Sequence, residues 1–579
     1  MVAALEKKGI VEIYDNPVYR TPKIVQGITE QTGEIVLTDE QQKAYDGLLS
    51  SYGSDKGETS LLYGVTGSGK TGVFMKLIDR AVEDGKGIIV MVPEISLTPQ
   101  VLSRFQSRYG RKIAVFHSGL SVGERRDEYL RVKRGEAQIA IGTRSAVFAP
   151  FENLGLIVID EEQESTYKSE MTPRYDARSV ARYRCAYHKA LLVLSSATPS
   201  VESFTYAMKG KYGIQTIRNR YGNARLPDVL TVDLRVDRAQ GNKYDISSLL
   251  LKELEKNLEE GRQSILLINR RGYNTFLACN SCGHVLTCPS CSISLTYHHA
   301  NRRMMCHYCG YSAPVETVCP ECGKEDIRYS GYGTQKIEDE LSQLLPAARV
   351  LRMDTDSTLS RFSHESKLAA FEAGEYDILL GTQMVAKGLD FENVTLVGVV
   401  SADQQLNNDD FRSMERTFDL LTQVVGRAGR GNAAGRAVIQ TLTPENSVIR
   451  LAAKQDYDAF YENEIEIRRF LKYPPFCDIC AVTFISKDEA KASLCSKLFL
   501  KQIEQLCADE YADVKLIVLG PMPPRVAKIS EKFRFRLIIK CRNDKRFRAM
   551  MSFLLTDYGK KREFSDVTVT TDMNPSAII

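Results

Sequence analysis

The sequence predicts an α/β protein with two parallel-sheet lobes, a cysteine-rich insertion in the second lobe and a small α+β C-terminal domain. Two sets of short apolar runs alternate with amphipathic stretches, as in parallel sheets covered by helices on both faces. Eight of the 14 cysteines form four Cys-x-x-Cys pairs in one short segment, and the pattern changes after Pro474-Pro475. A chain of 579 residues is long enough for about four domains.

The apolar runs place six strands in each predicted lobe. In the first lobe they are Thr59–Tyr63, Gly87–Val92, Ile113–Phe116, Ile139–Ile141, Leu156–Ile159 and Leu191–Leu194. In the second lobe they are Val229–Val232, Ser264–Ile268, Val350–Met353, Ile378–Gly381, Val394–Val400 and Ala437–Gln440. We predict a first lobe over 35–210 and a second lobe over 211–272 and 331–455, with the insertion over 273–330. We predict that residues 1–34 are a linker or the remnant of a preceding domain, and that 456–579 form the C-terminal domain.

Composition and charge limit the class of protein. Hydrophobic residues make up 43% of the chain and charged residues 26%, as in ordinary globular proteins, and the net charge is only +4. A nucleic-acid interface must therefore come from local basic grooves. No apolar stretch is long enough for a membrane helix, and the N-terminal residues lack the apolar core of a secretory signal. With the clustered cysteines, this predicts a protein of the reducing cytoplasm without a membrane partner.

A phosphate-binding loop follows the first predicted strand. The sequence there matches the complete G-x-x-x-x-G-K-[ST] pattern, in which glycines turn backbone N–H groups towards phosphate oxygens. The predicted ATP-binding residues are Gly64, Val65, Thr66, Gly67, Ser68, Gly69, Lys70 and Thr71. Lys70 is expected to reach the β- and γ-phosphates, and Thr71 to hold Mg²⁺. The alternative is a glycine-rich turn without function.

Acidic residues follow the apolar run Leu156–Ile159. Asp160 and Glu161 come where this strand leaves the sheet, at the edge at which ligands of α/β sheets bind. Asp160 is predicted to bind Mg²⁺, and Glu161 to polarise the attacking water. Apolar strands that end in acidic residues are common. Taken alone, about half of such motifs would have only a structural role. Its place after the phosphate loop favours the catalytic interpretation.

The second lobe ends with the motif Gln423-Val-Val-Gly-Arg-Ala-Gly-Arg430. Arg427 and Arg430 are three residues apart and share a face of a helix, so both are predicted to reach the γ-phosphate across a cleft between the lobes. The competing interpretation is a solvated basic turn. Earlier in this lobe, Thr382 and Lys387 lie in a segment that follows a strand and is rich in hydroxyl, amide and glycine groups, which suit the phosphates of a nucleic acid.

The order of these motifs resembles that of superfamily 2 helicases, whose lobes are RecA-like. The set begins with Leu37-Thr-Asp-Glu-Gln41, continues through the phosphate loop and Asp160-Glu-Glu, and then gives SATPS, GTQMVAKGLDF and QVVGRAGR. The resemblance implies that Gln41 also binds ATP. It implies a motor that closes on ATP and shifts along one nucleic-acid strand.

Further motifs are similar to those of the bacterial primosomal replication-restart helicases. They include Val92-Pro-Glu-Ile-Ser-Leu-Thr-Pro-Gln100, Asn269-Arg-Arg-Gly-Tyr273, Asp410-Phe-Arg412 and Tyr473-Pro-Pro-Phe476. This likeness covers nearly the whole chain. It implies an ATP-dependent 3′→5′ DNA helicase that binds branched DNA and stalled forks, unwinds duplex and initiates primosome assembly. The implied partners are single-stranded and forked DNA, single-stranded DNA-binding protein, and primosome and replicative-helicase-loading proteins; the C-terminal domain is expected to bind DNA.

The run Tyr167–Arg178, which is rich in tyrosine and arginine, is a candidate for contact with DNA. Aromatic side chains there can stack on bases while cations hold phosphates, although an ordinary surface loop with packed tyrosines is the alternative. The predicted DNA-binding residues, including matches elsewhere in the family motifs, are Arg144, Tyr167, Lys168, Arg174, Tyr175, Arg271, Thr382 and Lys387.

The cysteine pairs predict two four-sulfur zinc sites, because Cys-x-x-Cys lets two thiolates bind one tetrahedral ion. Disulfides and an iron–sulfur cluster are the alternatives. Spacing does not fix the pairing. The family resemblance implies one site of Cys279, Cys282, Cys319 and Cys322, and another of Cys288, Cys291, Cys306 and Cys309. Nearby histidines, namely His284, His298, His299 and His307, are predicted not to be ligands. Strand separation and partner docking both remain open as roles.

Three features depart from the family pattern. The N-terminal domain that captures a 3′ end has no counterpart, and only Lys7–Val11 resemble the end of its winged helix, so we expect a truncated form. Gln163 occupies the place of a histidine, and we expect it to form hydrogen bonds without ionising. Asn408-Asp409 stands where the family has proline.

Other functions remain possible on the sequence alone. One alternative is an ATP-driven DNA translocase that remodels protein–DNA complexes with little unwinding. Another is a primosome scaffold in which the zinc module does the work and hydrolysis is dispensable, and an inert fragment is the last. Lys70, Asp160, Glu161 and Arg430 are all present, which favours an active motor.

Overall fold

The computed structural model describes residues 5–10, 20, 33–54, 56–93, 99–221, 227–268, 276–298, 303–330, 334–353, 361–382, 391, 393–428 and 435–578. Within these residues no helix is both long and apolar enough to span a bilayer. The architecture is two parallel-sheet lobes, a cysteine-rich insertion and an antiparallel C-terminal domain, so the predicted fold class is confirmed.

The first lobe is a seven-stranded parallel sheet in the order β3-β4-β2-β5-β6-β1-β7. Its strands are β1 (Thr59–Gly64), β2 (Gly87–Met91), β3 (Ile113–Phe116), β4 (Ile139–Gly142), β5 (Leu154–Asp160), β6 (Leu191–Ser196) and β7 (Gly213–Ile217). Its helices are α1 (Asp39–Tyr52), α2 (Lys70–Glu83), α3 (Pro99–Tyr109), α4 (Val122–Lys133), α5 (Ala177–His188) and α6 (Val201–Met208). The central strands are fully buried, which explains their continuous apolar runs.

The edge strand β7 lies beyond the predicted end of the first lobe at residue 210. It pairs in parallel with β1, so it belongs to the sheet of this lobe. Most of its residues are exposed or half-buried, and the segment therefore lacks the continuous apolar run that identified the other strands.

The second lobe has a six-stranded parallel sheet in the order β15-β16-β9-β17-β18-β8. Its strands are β8 (Asp228–Asp233), β9 (Gln263–Leu267), β15 (Val350–Met353), β16 (Ile378–Gly381), β17 (Val394–Val399) and β18 (Arg436–Thr441). Its helices are α7 (Leu234–Ala239), α8 (Ser248–Glu259), α9 (Thr334–Leu344), α10 (Arg361–Glu372), α11 (Asp403–Leu406) and α12 (Ser413–Val425), followed by α13 (Ser447–Lys454) and α14 (Tyr457–Leu471).

The cysteine-rich insertion lies between β9 and α9. It contains one antiparallel pair and one three-stranded antiparallel sheet. The pair is β10 (Phe276–Cys279) with β14 (Ile327–Ser330), and the small sheet is β11 (Thr296–His298), β12 (Arg303–Met305) and β13 (Ser312–Pro314). With so few residues, the module shares a core with its neighbours: Tyr308 is buried beside Phe411 of the second lobe and Ile538 of the C-terminal domain.

The C-terminal domain is an antiparallel sheet with two long helices. Its elements are β19 (Asp478–Ser486), α15 (Glu489–Ala508), β20 (Ile517–Met522), β21 (Lys528–Ile529), β22 (Lys532–Cys541), α16 (Lys545–Lys560) and β23 (Thr568–Met573). The strand order is β20-β22-β19-β23, with β21 added to β22. Phe484, Phe499 and Phe547 are central to its own core.

Candidate active site and metal centres

The phosphate loop is shaped by two glycines in the left-handed backbone region. Gly67 has φ 79° and Gly69 has φ 77°, values that a residue with a Cβ rarely adopts. The buried strand β1 enters the loop, and α2 begins at Lys70. Lys70 Nζ lies inside the loop, where it donates to the carbonyl oxygens of Gly64 at 2.6 Å and Val65 at 3.3 Å. The loop thus presents a cation and the N-terminal end of a helix to the same space.

Gln41 holds this loop from the side. Thr38 and Gln41 form a reciprocal capping box at the start of α1, which fixes the orientation of the glutamine. Its Nε2 donates to the carbonyl oxygen of Ser68 at 2.8 Å, and the side chain is almost completely buried. The structure therefore brings the predicted residue Gln41 into direct contact with the phosphate loop.

The carboxylates of Asp160 and Glu161 lie at the carboxyl end of β5, close to the phosphate loop. Ser195 Oγ donates to Asp160 Oδ1 at 2.9 Å. Burial and the neighbouring Glu161 carboxylate raise the pKa of Asp160 to about 6, while the Lys70 ammonium acts in the opposite direction. Glu161 has a φ of 46°, which turns its side chain out of the strand register. The hydroxyl of Thr71 and the Asp160 carboxylate are hard oxygen donors, and they fit Mg²⁺.

A hydrogen-bond relay connects these acids to the start of the next segment. Gln163 Nε2 donates to Glu161 Oε2 at 2.8 Å, and Gln163 Oε1 accepts from Ser196 Oγ at 2.6 Å. Ser196 Oγ in turn accepts from the backbone N–H of Thr198 at 2.9 Å. The glutamine at the place of the family's histidine therefore joins the acidic motif to the Ser-Ala-Thr segment.

The second lobe meets the phosphate loop at the end of α12. A Cβ built on Gly426 would lie 2.5 Å from Thr66 Cγ2, so the two lobes are in close contact there. Arg427 is the next residue and is half-buried. The structure thus places Arg427 beside the junction between the lobes, while the predicted Arg430 lies outside the described residues.

A buried ionic cluster links the lobes, and the sequence reasoning missed it. Arg468 of α14 is 1% exposed and pairs with Glu464 at 2.8 Å, Glu415 of α12 at 2.8 Å and Glu202 of α6 at 3.4 Å. Arg412 adds a contact with Glu202 at 2.8 Å. Burial alone would raise the pKa of Glu202, yet the guanidinium groups of Arg412 and Arg468 lower it to about 2. Elements of both lobes thus share one set of charges.

The cluster is reinforced by direct hydrogen bonds between the lobes. Glu415 Oε1 accepts from the backbone N–H of Val201, the first residue of α6, at 2.8 Å. Tyr457 donates its hydroxyl to the Pro199 carbonyl oxygen at 2.5 Å. These contacts attach the second lobe to the end of the Ser-Ala-Thr-Pro-Ser segment, which is joined to Glu161 through Gln163.

The burial of Tyr167 and Lys168 argues against the DNA contacts that were predicted for them. Tyr167 is 1% exposed, and its hydroxyl donates to the carbonyl oxygens of Asp160 and Met91, so its ring has no open face for a base. Lys168 is also buried; its Nζ pairs with Asp572 of the C-terminal domain at 2.7 Å. Both side chains are buried and bonded within the protein, so neither is accessible to DNA. Their role in this structure is to stabilise the fold.

The other predicted DNA contacts have mixed positions. Arg144 is half-buried and donates to the carbonyl oxygens of Thr166 and Lys168 at 3.2 Å each. Tyr175 is half-buried against Phe148, with ring centroids 4.9 Å apart. Arg174 lines a cavity of about 430 Å³ between the two lobes and the C-terminal domain, together with Arg178, Arg182, Arg412 and Arg416.

Thr382 follows β16 at the carboxyl edge of the second sheet and is buried. Arg271 and Lys387 lie outside the described residues.

The eight cysteines gather into two groups, in the nested arrangement that the family resemblance implies. The sulfur atoms of Cys279, Cys282, Cys319 and Cys322 lie within 4.8 Å of one another, as do those of Cys288, Cys291, Cys306 and Cys309. The Sγ–Sγ distances for the closest pairs are 3.5–3.6 Å. Zn–S bonds of about 2.3 Å in a tetrahedron require sulfurs roughly 3.8 Å apart. Both groups fit zinc, and all eight cysteines are free thiols.

Each group has the same local backbone. In all four Cys-x-x-Cys turns, the N–H of the residue after the second cysteine donates to the carbonyl oxygen of the first, at 2.7–2.9 Å. Three of these residues are Gly283, Gly310 and Gly323, and the fourth is Ser292, which adopts a φ of 55°. His307 is buried and its Nδ1 faces the Pro523 carbonyl oxygen at 3.4 Å, consistent with a role other than ligand.

The Asn408-Asp409 departure has a structural role. Asp409 accepts from Thr296 Oγ1 of the insertion at 3.0 Å and faces Arg525 of the C-terminal domain at 3.6 Å. An acid at this place therefore connects three parts of the molecule.

Comparison with known proteins gives four family matches along the chain. They are the DEAD/DEAH box helicase over 38–205, the PriA DNA helicase Cys-rich region domain over 288–314, the helicase conserved C-terminal domain over 331–432 and the primosomal protein N C-terminal domain over 469–576. Each match falls on the corresponding part of the fold described above.

Similar whole proteins carry the description replication restart protein PriA. The relative from Bacillus subtilis (strain 168) is 44% identical over 99% of this chain and 71% of its own length. That from Synechocystis is 40% identical over 93% of this chain and 65% of its own length. Among solved structures, RecG bound to a three-way DNA junction has a TM-score of 0.44 at 17% identity, covering 76% of this chain and 47% of that one.

Proposed function

The chain belongs to the PriA family of replication restart proteins, and on that premise we propose that it is an ATP-dependent DNA helicase that moves 3′→5′. It binds branched DNA and stalled forks, unwinds duplex and initiates primosome assembly. Its proposed partners are single-stranded and forked DNA, single-stranded DNA-binding protein and the proteins that load the replicative helicase. The chain spans 65% and 71% of the length of the two relatives described above, so these activities of the whole protein are part of the proposal.

One observation carries the proposal: the phosphate loop lies near Asp160 and is in contact with the second lobe. Lys70 lies close enough to influence the pKa of Asp160, and Thr66 packs against Gly426. Lys70 neutralises the β- and γ-phosphates, and Glu161 polarises the attacking water. Thr71 and Asp160 hold Mg²⁺, which supplies charge neutralisation at the phosphates when bound. Arg427 and Arg430 supply positive charge from the second lobe.

Coupling of hydrolysis to DNA follows from the contacts between the lobes. The end of α12 lies against the loop, so a bound triphosphate acts on both lobes, and the Gln163–Ser196 relay joins the acids to the segment that contacts Glu415. The two zinc sites stabilise the insertion between the second lobe and the C-terminal domain. We propose that Arg144, Arg174, Tyr175, Arg271 and Lys387 contact DNA; Thr382, which is buried, is not part of this proposal.

The test is ATP hydrolysis with no DNA, with single-stranded DNA and with forked DNA, alongside a strand-displacement assay. We expect DNA to stimulate hydrolysis and Lys70→Ala to abolish it, because the phosphate contact is lost. Zinc content and thermal melting of Lys70→Ala control for folding. If neither single-stranded nor forked DNA stimulated ATP hydrolysis, the proposal of a DNA-dependent motor would be ruled out. DNA-stimulated hydrolysis without strand displacement would point instead to a translocase, and primosome assembly that survives Lys70→Ala would point to a scaffold.

A further inference from the structure

A short strap, Ile217–Tyr221, runs along the phosphate loop. The backbone N–H of Val65 donates to the Ile217 carbonyl oxygen at 3.2 Å, and that of Tyr221 donates to the Gly67 carbonyl oxygen at 2.9 Å. The strap is also tied to α1, because the Glu40 carboxylate accepts from Asn219 N at 3.1 Å and Nδ2 at 2.8 Å. Its position relative to the loop is therefore fixed from two sides.

Thr66 and Gly69 of the phosphate loop face different neighbours. Thr66 contacts Gly426 of the second lobe, whereas a Cβ built on Gly69 would lie 2.3 Å from Gln41 Nε2 and 3.6 Å from Tyr221 Cδ2. A triphosphate whose terminal phosphate points to the catalytic acids and the second lobe therefore extends its sugar and base towards Gln41 and Tyr221.

The side chain of Tyr221 is suited to that position. It is 57% exposed although its backbone is held by the loop, so a large ring beside the phosphate loop is left open to solvent. Aromatic rings stack on nucleobases, and a purine offers more surface for stacking than a pyrimidine.

We propose that Tyr221 is a specificity-determining residue that stacks on the nucleobase and favours purine nucleoside triphosphates. The inference rests on the proposed ATPase function. Tyr221 acts on binding of the nucleotide, since its ring lies beside Gly69, whereas the second lobe meets the loop at Thr66. Its loss changes KM and base preference and leaves kcat unchanged.

The experiment compares Tyr221→Ala, Tyr221→Leu and Tyr221→Phe in the full chain with saturating single-stranded DNA. We expect the Ala and Leu variants to raise KM for ATP about tenfold, which corresponds to ~1.4 kcal/mol, and to narrow the preference for ATP over CTP. The Phe variant keeps the stacking ring and should match the parent protein. Tyr129→Ala removes another exposed tyrosine of the first lobe, on α4, and should also match the parent.

Binding of a fluorescent non-hydrolysable ATP analogue without DNA provides a second readout, with the same order of affinities expected. An unchanged KM and unchanged base preference in both the Ala and Leu variants would overturn the inference, as would a loss in kcat alone. Lys70→Ala distinguishes a failure of the role proposed for Tyr221 from a failure of the proposed ATPase function. If Lys70→Ala loses hydrolysis while the Tyr221 variants behave as the parent, only the role of Tyr221 fails; if hydrolysis survives Lys70→Ala, the proposed function itself fails.

Discussion

At the scale of single residues, Gln163 shows how one side chain joins two motifs. It donates to Glu161 and accepts from Ser196, and an amide performs both roles at any pH because it does not ionise. A histidine in the same place can donate from one ring nitrogen and accept at the other only while it is neutral.

This geometry predicts the effect of two substitutions at Gln163. Gln163→Ala removes a hydrogen bond to a charged carboxylate, and we expect DNA-stimulated kcat to fall on the order of tenfold with DNA affinity unchanged. Gln163→His should restore activity at pH 8 and lose it, relative to the parent, as the pH falls below about 6.5, because the imidazolium cannot accept from Ser196. The measurement is the ratio of variant to parent rates across pH. A ratio that stays flat with pH would argue against the relay.

The role of an aromatic residue depends on whether it is buried, and the local sequence pattern does not indicate this. Tyr167 was predicted to stack on DNA because it lies among tyrosines and arginines, yet its hydroxyl is satisfied by two carbonyl oxygens in the core. Tyr221 illustrates the converse, since its position at the phosphate loop depends on backbone contacts across the fold.

At the scale of elements, α14 acts as the joint between the lobes. Its Arg468 serves three carboxylates from three helices, and Tyr457 and Phe460 on the same helix pack against Phe418 of α12. A buried cation with several partners fixes the relative orientation of the elements that supply them, because separating any one leaves a charge without compensation.

We therefore expect Arg468→Met to destabilise the protein by about 3–5 kcal/mol, since it leaves the buried carboxylates of Glu415 and Glu464 without their guanidinium partner. The neighbouring Arg469→Met is the matched control: Arg469 and Glu466 form a pair in which both side chains are mostly exposed, and such pairs contribute roughly 0–1 kcal/mol. Urea denaturation followed by circular dichroism measures the difference. Equal midpoints for the two variants would contradict the role assigned to the cluster.

The depressed pKa of Glu202 adds a pH dependence to this joint. A carboxylate with a folded-state pKa of about 2 and an ordinary unfolded value near 4.3 stabilises the fold above the higher value. That contribution is lost as the pH falls through the window between them. Arg412 is the larger cause of the low pKa and Arg468 the second, so Arg468→Met should lessen the loss of stability between about pH 4 and pH 2, and Arg412→Met should lessen it more.

The two zinc sites differ in their surroundings. Cys322 of the first group is exposed, whereas Cys288, Cys291 and Cys306 of the second are buried in the core shared with the C-terminal domain. Chelator should therefore remove zinc in two phases, about one ion in each, with the fast phase absent in Cys322→Ser. A zinc-sensitive dye follows the release. Only the slow phase of zinc release should expose the tryptic sites of the C-terminal domain. Release of both ions in a single phase would show that the two zinc sites are not independent.

At the scale of the whole molecule, the C-terminal domain is attached to both lobes. Its contact with the first lobe includes the Lys168–Asp572 pair, in which both side chains are buried or nearly so. With the second lobe it shares the core around Tyr308 and Phe411, and Arg525 faces Asp409. The buried apolar contact of the C-terminal domain is therefore made with the insertion and the second lobe.

Asp572→Asn should release the C-terminal domain from the first lobe while leaving it on the second. Removing one charge of a buried pair costs on the order of 3 kcal/mol, and we expect faster hydrogen exchange in residues 166–176 with little change around Tyr308. Asp566→Asn is the control, because its pair with Lys491 is half-exposed. Equal exchange in the two variants would show that the pair does not hold the domains together.

The sequence predicted the parts of this fold that are specified locally. Buried parallel strands appear as apolar runs, and the phosphate loop and cysteine pairs depend on short spacings, so these elements were found. The family resemblance is confirmed by the relatives. Strand β7 was missed because it is an edge strand with exposed residues. The Arg468 cluster was missed because its partners lie up to 266 residues away and charged helices usually face solvent.

The path of residues 574–578 affects how the chain assembles during synthesis. Ile578 is 1% exposed in the core beside Tyr308, its N–H donates to Asp410 at 3.1 Å, and Arg416 donates to the Ser576 carbonyl oxygen. The ribosome makes this segment after every element that it joins. Both lobes and the metal-binding module can fold while translation continues, but the seam between them and the C-terminal domain closes only after residue 578 has left the exit tunnel.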